Sequence, residues 1–108
     1  MEIVIKGVTY TPKYTFNSFK YMEDLNFADL QNIEKNPFKL IPFLETLVLG
    51  AVNSNPNNVV SKEDVEEFLN EYIETSPINE IIEELINLLQ DSNFFKSLQK
   101  KPTKKIKK

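Results

Sequence analysis

The side chains able to do chemistry in this 108-residue chain are carboxylates, lysines and hydroxyls. Histidine, cysteine, arginine and tryptophan are absent. Without histidine, a serine nucleophile has no imidazole base. Ser61-Lys62 could in principle pair as nucleophile and base, but the pair sits where a helix should be capped, and Ser97 lies near the end of the chain. Without cysteine there are no disulfides, thiolate metal sites or thiol nucleophiles, which fits a reducing cytosolic compartment. Gly7 and Gly50 are the only glycines, too few for a phosphate-cradling loop. The carboxylates cluster as Glu63, Asp64, Glu66 and Glu67, and as Glu80, Glu83 and Glu84. Calcium loops need oxygen ligands at alternating positions around a glycine turn. These carboxylates fall instead on regular helix faces, where solvated charge is the ordinary reading. Glycoside chemistry needs two carboxylates in different environments, and nothing in the sequence distinguishes one glutamate from another. The expectation is a non-catalytic binding protein with no cofactor and no metal.

Charge divides the chain. Six lysines lie in residues 100–108, while the other seven face all 16 carboxylates, so residues 1–99 carry −9 and the tail carries +6. A like-charge block of this kind is expected to be solvated and disordered. The tail could neutralise phosphates non-specifically. Against nucleic acid stand the acidic body, which repels the same polymer, and the absence of arginine for bidentate base contacts. The longest uncharged apolar run, Leu47 to Val52, is far short of the roughly 20 residues that span a bilayer. Glu2 stands where a signal peptide would carry positive charge. No membrane role is expected.

The elements that must position these residues follow from periodicity. Residues 2–16 alternate as a β-hairpin, with Val8, Tyr10, Pro12, Tyr14 and Phe16 on one face and Gly7 in the turn. Pro12 marks an edge or a bulge. Phe16, Phe19, Met22 and Leu25 then recur at i, i+3, which predicts a helix capped by Asn17 or Ser18. A second short helix is predicted over 28–35, ending at Asn36-Pro37. Residues 38–52 are apolar nearly all round and predict a central buried helix with Pro42 in its first turn. Asn53 to Asn58 is turn chemistry. Ser61 should cap a helix carrying the stripe Val65, Phe68, Leu69, Tyr72 and Ile73, with Ser61 to Asp64 as a capping box. Pro77 should open the next helix at its first position, with the stripe Ile78, Ile81, Ile82, Leu85 and Leu89. A last short turn is predicted over 94–98.

The fold class expected is α+β: one domain over 1–99, an N-terminal β-hairpin packed on four to five helices, then the basic tail 100–108. The expected core is Ile3, Ile5, Phe19, Leu44, Leu47, Val48, Phe68, Tyr72, Ile82 and Leu85. Apolar residues beyond its needs are Ile86, Leu88, Phe94, Phe95 and Leu98, which form the candidate partner-binding set. A homo-oligomer contact or completion of the core would use them equally well. A groove for an amphipathic helix is built from such residues.

The opening Glu2-Ile3-Val4-Ile5-Lys6-Gly7-Val8-Thr9-Tyr10, followed by Tyr14-Thr15-Phe16-Asn17-Ser18-Phe19-Lys20-Tyr21-Met22-Glu23, resembles the tail assembly chaperones of siphophages and prophages of low-GC Gram-positive bacteria. The likeness extends over most of residues 1–95, through the apolar helix and the acidic amphipathic pair, and consists of an order of elements rather than signature residues. It implies a cytoplasmic protein of the bacterial host that binds the tape-measure protein, beside the polymerising tail-tube protein, and is absent from the mature virion. It also implies a frameshifted longer form, for which the A-rich codons of Lys100-Lys101 and Lys104-Lys105 would suit slippage. Two other classes fit the residues alone: a structural tail or head–tail joining protein of the virion, and a nucleic-acid-associated accessory protein acting through the tail.

Overall fold

In a computed structural model, residues 1–23, 25, 37–93 and 96–97 are described. They form an α+β fold: strands β1 (Ile3–Ile5) and β2 (Val8–Tyr10), helix α1 (Phe16–Phe19), a 3₁₀ turn (Pro37–Lys39), and helices α2 (Leu40–Val52), α3 (Lys62–Thr75) and α4 (Ile78–Asp91). The expected helix over 28–35 and the tail 100–108 lie outside the described residues.

The hairpin is antiparallel, pairing Ile3 with Tyr10 and Ile5 with Val8. Both turn residues have positive φ, Lys6 at 52° and Gly7 at 78°. Gly7 takes that conformation without cost, while Lys6 is a non-glycine in the left-handed region. Lys6 Nζ sits 2.9 Å from Asp64 Oδ1 at the start of α3, which ties the turn to that helix. Ile3 and Ile5 point into the core.

The sheet is shorter than its alternation predicts. Pairing stops at Tyr10, and residues 11–15 run on without a strand partner. Pro12 removes a ladder donor, and the Lys13 amide bonds the Ala51 carbonyl of α2 instead. Alternation persists as burial, since Pro12 and Tyr14 are buried while Thr11 and Lys13 are exposed. Phe16, expected on the same face, is 65% exposed because it already belongs to α1.

The α1 cap is Thr15, not Asn17 or Ser18. Thr15 and Ser18 form a reciprocal capping box: each side-chain oxygen accepts from the other residue's backbone N–H, at 3.4 and 2.9 Å. Ser18 therefore stands at the third helical position, and is fully buried. Beyond Phe19 the i, i+3 spacing continues as a string of tight turns. Tyr21 bonds Ser18, Met22 bonds Phe19, and Leu25 bonds Met22. Three-residue bonds, rather than an α-helix, account for that period.

Helix α2 is the centre of the fold, with α1, α3 and α4 all packed on it. Leu44, Leu47, Val48 and Ala51 are fully buried there. Pro42 falls in its first turn, as its missing N–H requires. The expected helix 38–52 thus begins at Leu40, and its start is not buried all round: Phe38 in the 3₁₀ turn is 87% exposed and Ile41 in the first turn of α2 40%. Tyr14 anchors the extended segment to α2 by donating its hydroxyl to the Leu47 carbonyl at 2.7 Å, wholly buried. Burial pushes its phenol above the usual range. Tyr14→Phe should lower the unfolding free energy by about 1–2 kcal/mol, read from urea denaturation. An unchanged midpoint would show that the Leu47 carbonyl finds water instead.

Ser61 caps α3, accepting from the Asp64 amide at 3.2 Å. Pro77 stands at the N-cap of α4 with ψ 131°, one residue earlier than expected, because the chain is still extended there. Of the expected core, Ile3, Ile5, Leu44, Leu47, Val48, Ile82 and Leu85 are buried, while Phe19, Phe68 and Tyr72 are half-buried against it. Tyr14, Met22, Phe43, Ala51, Val52, Val60, Val65, Leu69, Ile81 and Leu89 complete it.

Candidate partner interface

The acidity of the body is localised on two helices. Residues 61–91 hold ten carboxylates and one lysine, a net −9, while the rest of 1–99 balances six lysines against six carboxylates. Every one of the ten carboxylate residues is exposed except half-buried Asp64. On α4 the buried stripe is Ile81, Ile82, Leu85 and Leu89, so Glu80, Glu83, Glu84 and Asp91 are turned outward. Among the described residues, only Asp64 and Glu84 of the ten have a cationic partner within 4.0 Å; the partner of Glu84 is the Met1 amino group at 3.8 Å. The Lys6 ammonium holds the Asp64 carboxyl below its ordinary range, and Asp64 in turn raises Lys6. The Tyr72 phenol of α3 is raised by burial and then by the charges of Glu80 and Glu84 on α4.

The candidate partner residues separate on this frame. Ile86 is half-buried and packs against the core, which leaves little of it for a partner. Leu88 is 36% exposed, with Glu84 four residues before it and Asp91 three after. It lines an open groove of about 300 Å³ with Pro12, Tyr14, Asp91 and Asn93. Phe94, Phe95 and Leu98 lie outside the described residues. The short turn expected there is present as far as it is described: the Lys96 amide bonds the Ser92 carbonyl at 3.0 Å, and Ser97 Oγ donates to the Asn93 carbonyl at 2.8 Å.

A second concavity of about 370 Å³ lies between the hairpin turn and α3. Val4, Ile5 and Phe68 give it apolar walls, Glu67 and Glu71 give it negative charge, and Lys6 lines it too, paired with Asp64. The basic head that meets these carboxylates is the chain's own Lys6. Sequence reasoning did not find it, because Val4 is read only as the outer face of a strand, and its approach to Phe68 depends on how the hairpin crosses α3. Nor did it find the exposed Phe38 and Ile41. Their composition is that of a core helix, and only the packing of α2 shows which turn is left uncovered.

Glu45 of α2 shows the cost of crowding acids. Desolvation raises its carboxyl, and Glu66 of α3 raises it further by charge and by a side-chain hydrogen bond, with Lys62 opposing. A carboxyl raised in the fold contributes stability below its unfolded pKa and loses that contribution as pH rises through the folded value. Glu45→Gln should therefore match the parent near pH 4 and exceed it at pH 7 by on the order of 0.5 kcal/mol. Urea midpoints at the two pH values check this; equal gains at both would remove the like-charge explanation.

No group of three or more potential metal ligands occurs among the described residues. None of their helices is long and apolar enough to cross a membrane. Comparison with protein-family models, with curated proteins and with solved structures found no match to this chain.

Proposed function

We propose that this protein is a tail assembly chaperone that binds the tape-measure protein during tail assembly and carries out no catalysis. The observation that supports it best is the combination on α4: Leu88, exposed among Glu84 and Asp91, on a helix pair carrying the whole net charge of the body. An aggregation-prone amphipathic helix needs an apolar contact to cover its stripe, and a strongly charged carrier to keep the complex in solution. The order of elements, hairpin, short helix, apolar helix and acidic pair, supports the same reading through its resemblance to that family. In this reading the protein acts in the cytoplasm of the bacterial host and leaves before the virion is complete.

The test is co-expression with a tape-measure protein from the same genome. The tape-measure protein should be recovered soluble and co-elute with this chain. Leu88→Gln should weaken the complex about tenfold, near 1.4 kcal/mol, as expected for loss of one apolar anchor. Its unfolding midpoint should move little, since Leu88 is already partly solvated. A tape-measure protein that stays insoluble, or abundant copies of this chain in purified virions, would overturn the reading.

A further inference from the structure

The outward face of α4 is an unpartnered helix face with a defined chemistry. Glu80, Glu83, Glu84 and Asp91 project from it, Asn87 and Gln90 lie between them, and Leu88 sits at its edge beside the groove. Among the described residues, its one cationic neighbour within 4.0 Å is the Met1 amino group at Glu84. A ligand matched to this face is an extended, lysine-rich segment with an occasional apolar side chain. The chain itself carries one. Residues 100–108 read Lys-Lys-Pro-Thr-Lys-Lys-Ile-Lys-Lys, six positive charges around a single isoleucine.

We infer that residues 100–108 dock on the outward face of α4, running back along the helix from its C-terminal end. Reach permits it. Nine extended residues span about 30 Å, whereas the 14 residues of α4 rise about 21 Å. Tethering also favours the intramolecular contact, because a short linker holds the segment at an effective concentration near the millimolar range. The six cations of the tail outnumber the four carboxylates of the face, so charge alone favours the contact. The contact is exposed and charge-driven, so it should be present at low salt and lost near 1 M salt, where the screening length falls to about 3 Å. It follows that a basic partner of this face must displace the tail. The docking itself holds whichever partner the body takes.

The absence of cysteine makes a clean test available. A nitroxide attached at Thr103→Cys in the full chain should broaden the amides of Glu80, Glu83, Glu84 and Asn87 at 50 mM NaCl. Their intensity should fall at least twofold against the reduced label and recover in 1 M NaCl. Neutralising Glu80, Glu83 and Glu84 together to glutamine should abolish the broadening while spectra of the core amides stay unchanged. Broadening confined to residues 89–93 would be that of a free tether and would overturn the proposal. Broadening centred on α3 would overturn it too, as would broadening transferred between separately labelled chains and scaling with concentration. The last result would assign the face to the tail of a second copy.

Discussion

Asn53→Ala is expected to destabilise the fold by about 3 kcal/mol, lowering the melting temperature by roughly 15 °C for a domain of this size. The asparagine is fully buried just past the end of α2. Its Oδ1 accepts from the Val60 amide at 2.9 Å, and its Nδ2 donates to the Val60 carbonyl at 3.1 Å. Nδ2 also donates to the Leu49 carbonyl at 2.9 Å, completing the end of the helix. The side chain thus closes the loop 53–60 as a backbone pair would, and sets where α3 begins. Alanine leaves the N–H and C=O of Val60, a residue only 3% exposed, without these partners. An unpaired buried group costs about 1–3 kcal/mol. Urea unfolding of the purified variant reads this directly. Asn53→Asp sharpens the test: it keeps the acceptor but replaces the donor with a buried charge, so it should be no better than alanine at neutral pH and should recover in acid as the carboxyl protonates. A loss below about 1 kcal/mol for alanine would mean that water replaces the side chain.

Gly50→Val is expected to cost about 2–3 kcal/mol, although valine is intrinsically the better helix residue. The glycine is at the crossing of α1 and α2. A Cβ there would overlap the Met22 thioether and lie 3.3 Å from the Ser18 carbonyl oxygen. Met22 is 5% exposed and has little room to withdraw, and the Ser18 carbonyl cannot turn away without losing its bond from the Tyr21 amide. Overpacking of this kind typically costs 1–3 kcal/mol. A double-mutant cycle with Met22→Ala checks the cause. The two substitutions should couple favourably by more than about 1 kcal/mol, with incomplete recovery because the Ser18 contact remains. Simple additivity would show that the clash with Met22 is not what valine meets.

These two residues mark where the sequence stopped being readable. Asn53 is legible as a turn residue, because asparagine after an apolar helix is turn chemistry. Its burial is not legible, since that depends on Val60 returning beside it from seven residues away. Gly50 is silent in the sequence: a glycine inside a helix costs stability against alanine, and its reason here is another segment 28 residues earlier. Tyr14 was placed on the correct face of its extended segment, but its bond to the Leu47 carbonyl requires the packing of that segment on α2. Thr15, rather than Asn17 or Ser18, became the α1 cap because its hydroxyl also donates to the Ser54 carbonyl at 2.6 Å, a contact that the local pattern cannot contain.

The sequence by itself determined the side-chain inventory, which lacks histidine, cysteine and arginine, and the division of charge between an acidic body and a basic tail. It also determined the hairpin and the three long helices. Each of these follows from composition or from periods of two to four residues, which are local properties of the chain. Tertiary structure decided which apolar residues were left over. Ile86 went against the core, Leu88 stayed partly in solvent, and Phe38 and Ile41 came to stand exposed at the start of a segment that reads as buried on most sides. It also set the hairpin against α3, with Val4 beside Phe68 and Lys6 on Asp64. Packing chooses among apolar residues by shape and by what lies opposite, and neighbours distant in sequence supply both. The missing reactive side chains could therefore be read from the chain alone, whereas the surface a partner would meet could be drawn only once α2 had its three helices around it.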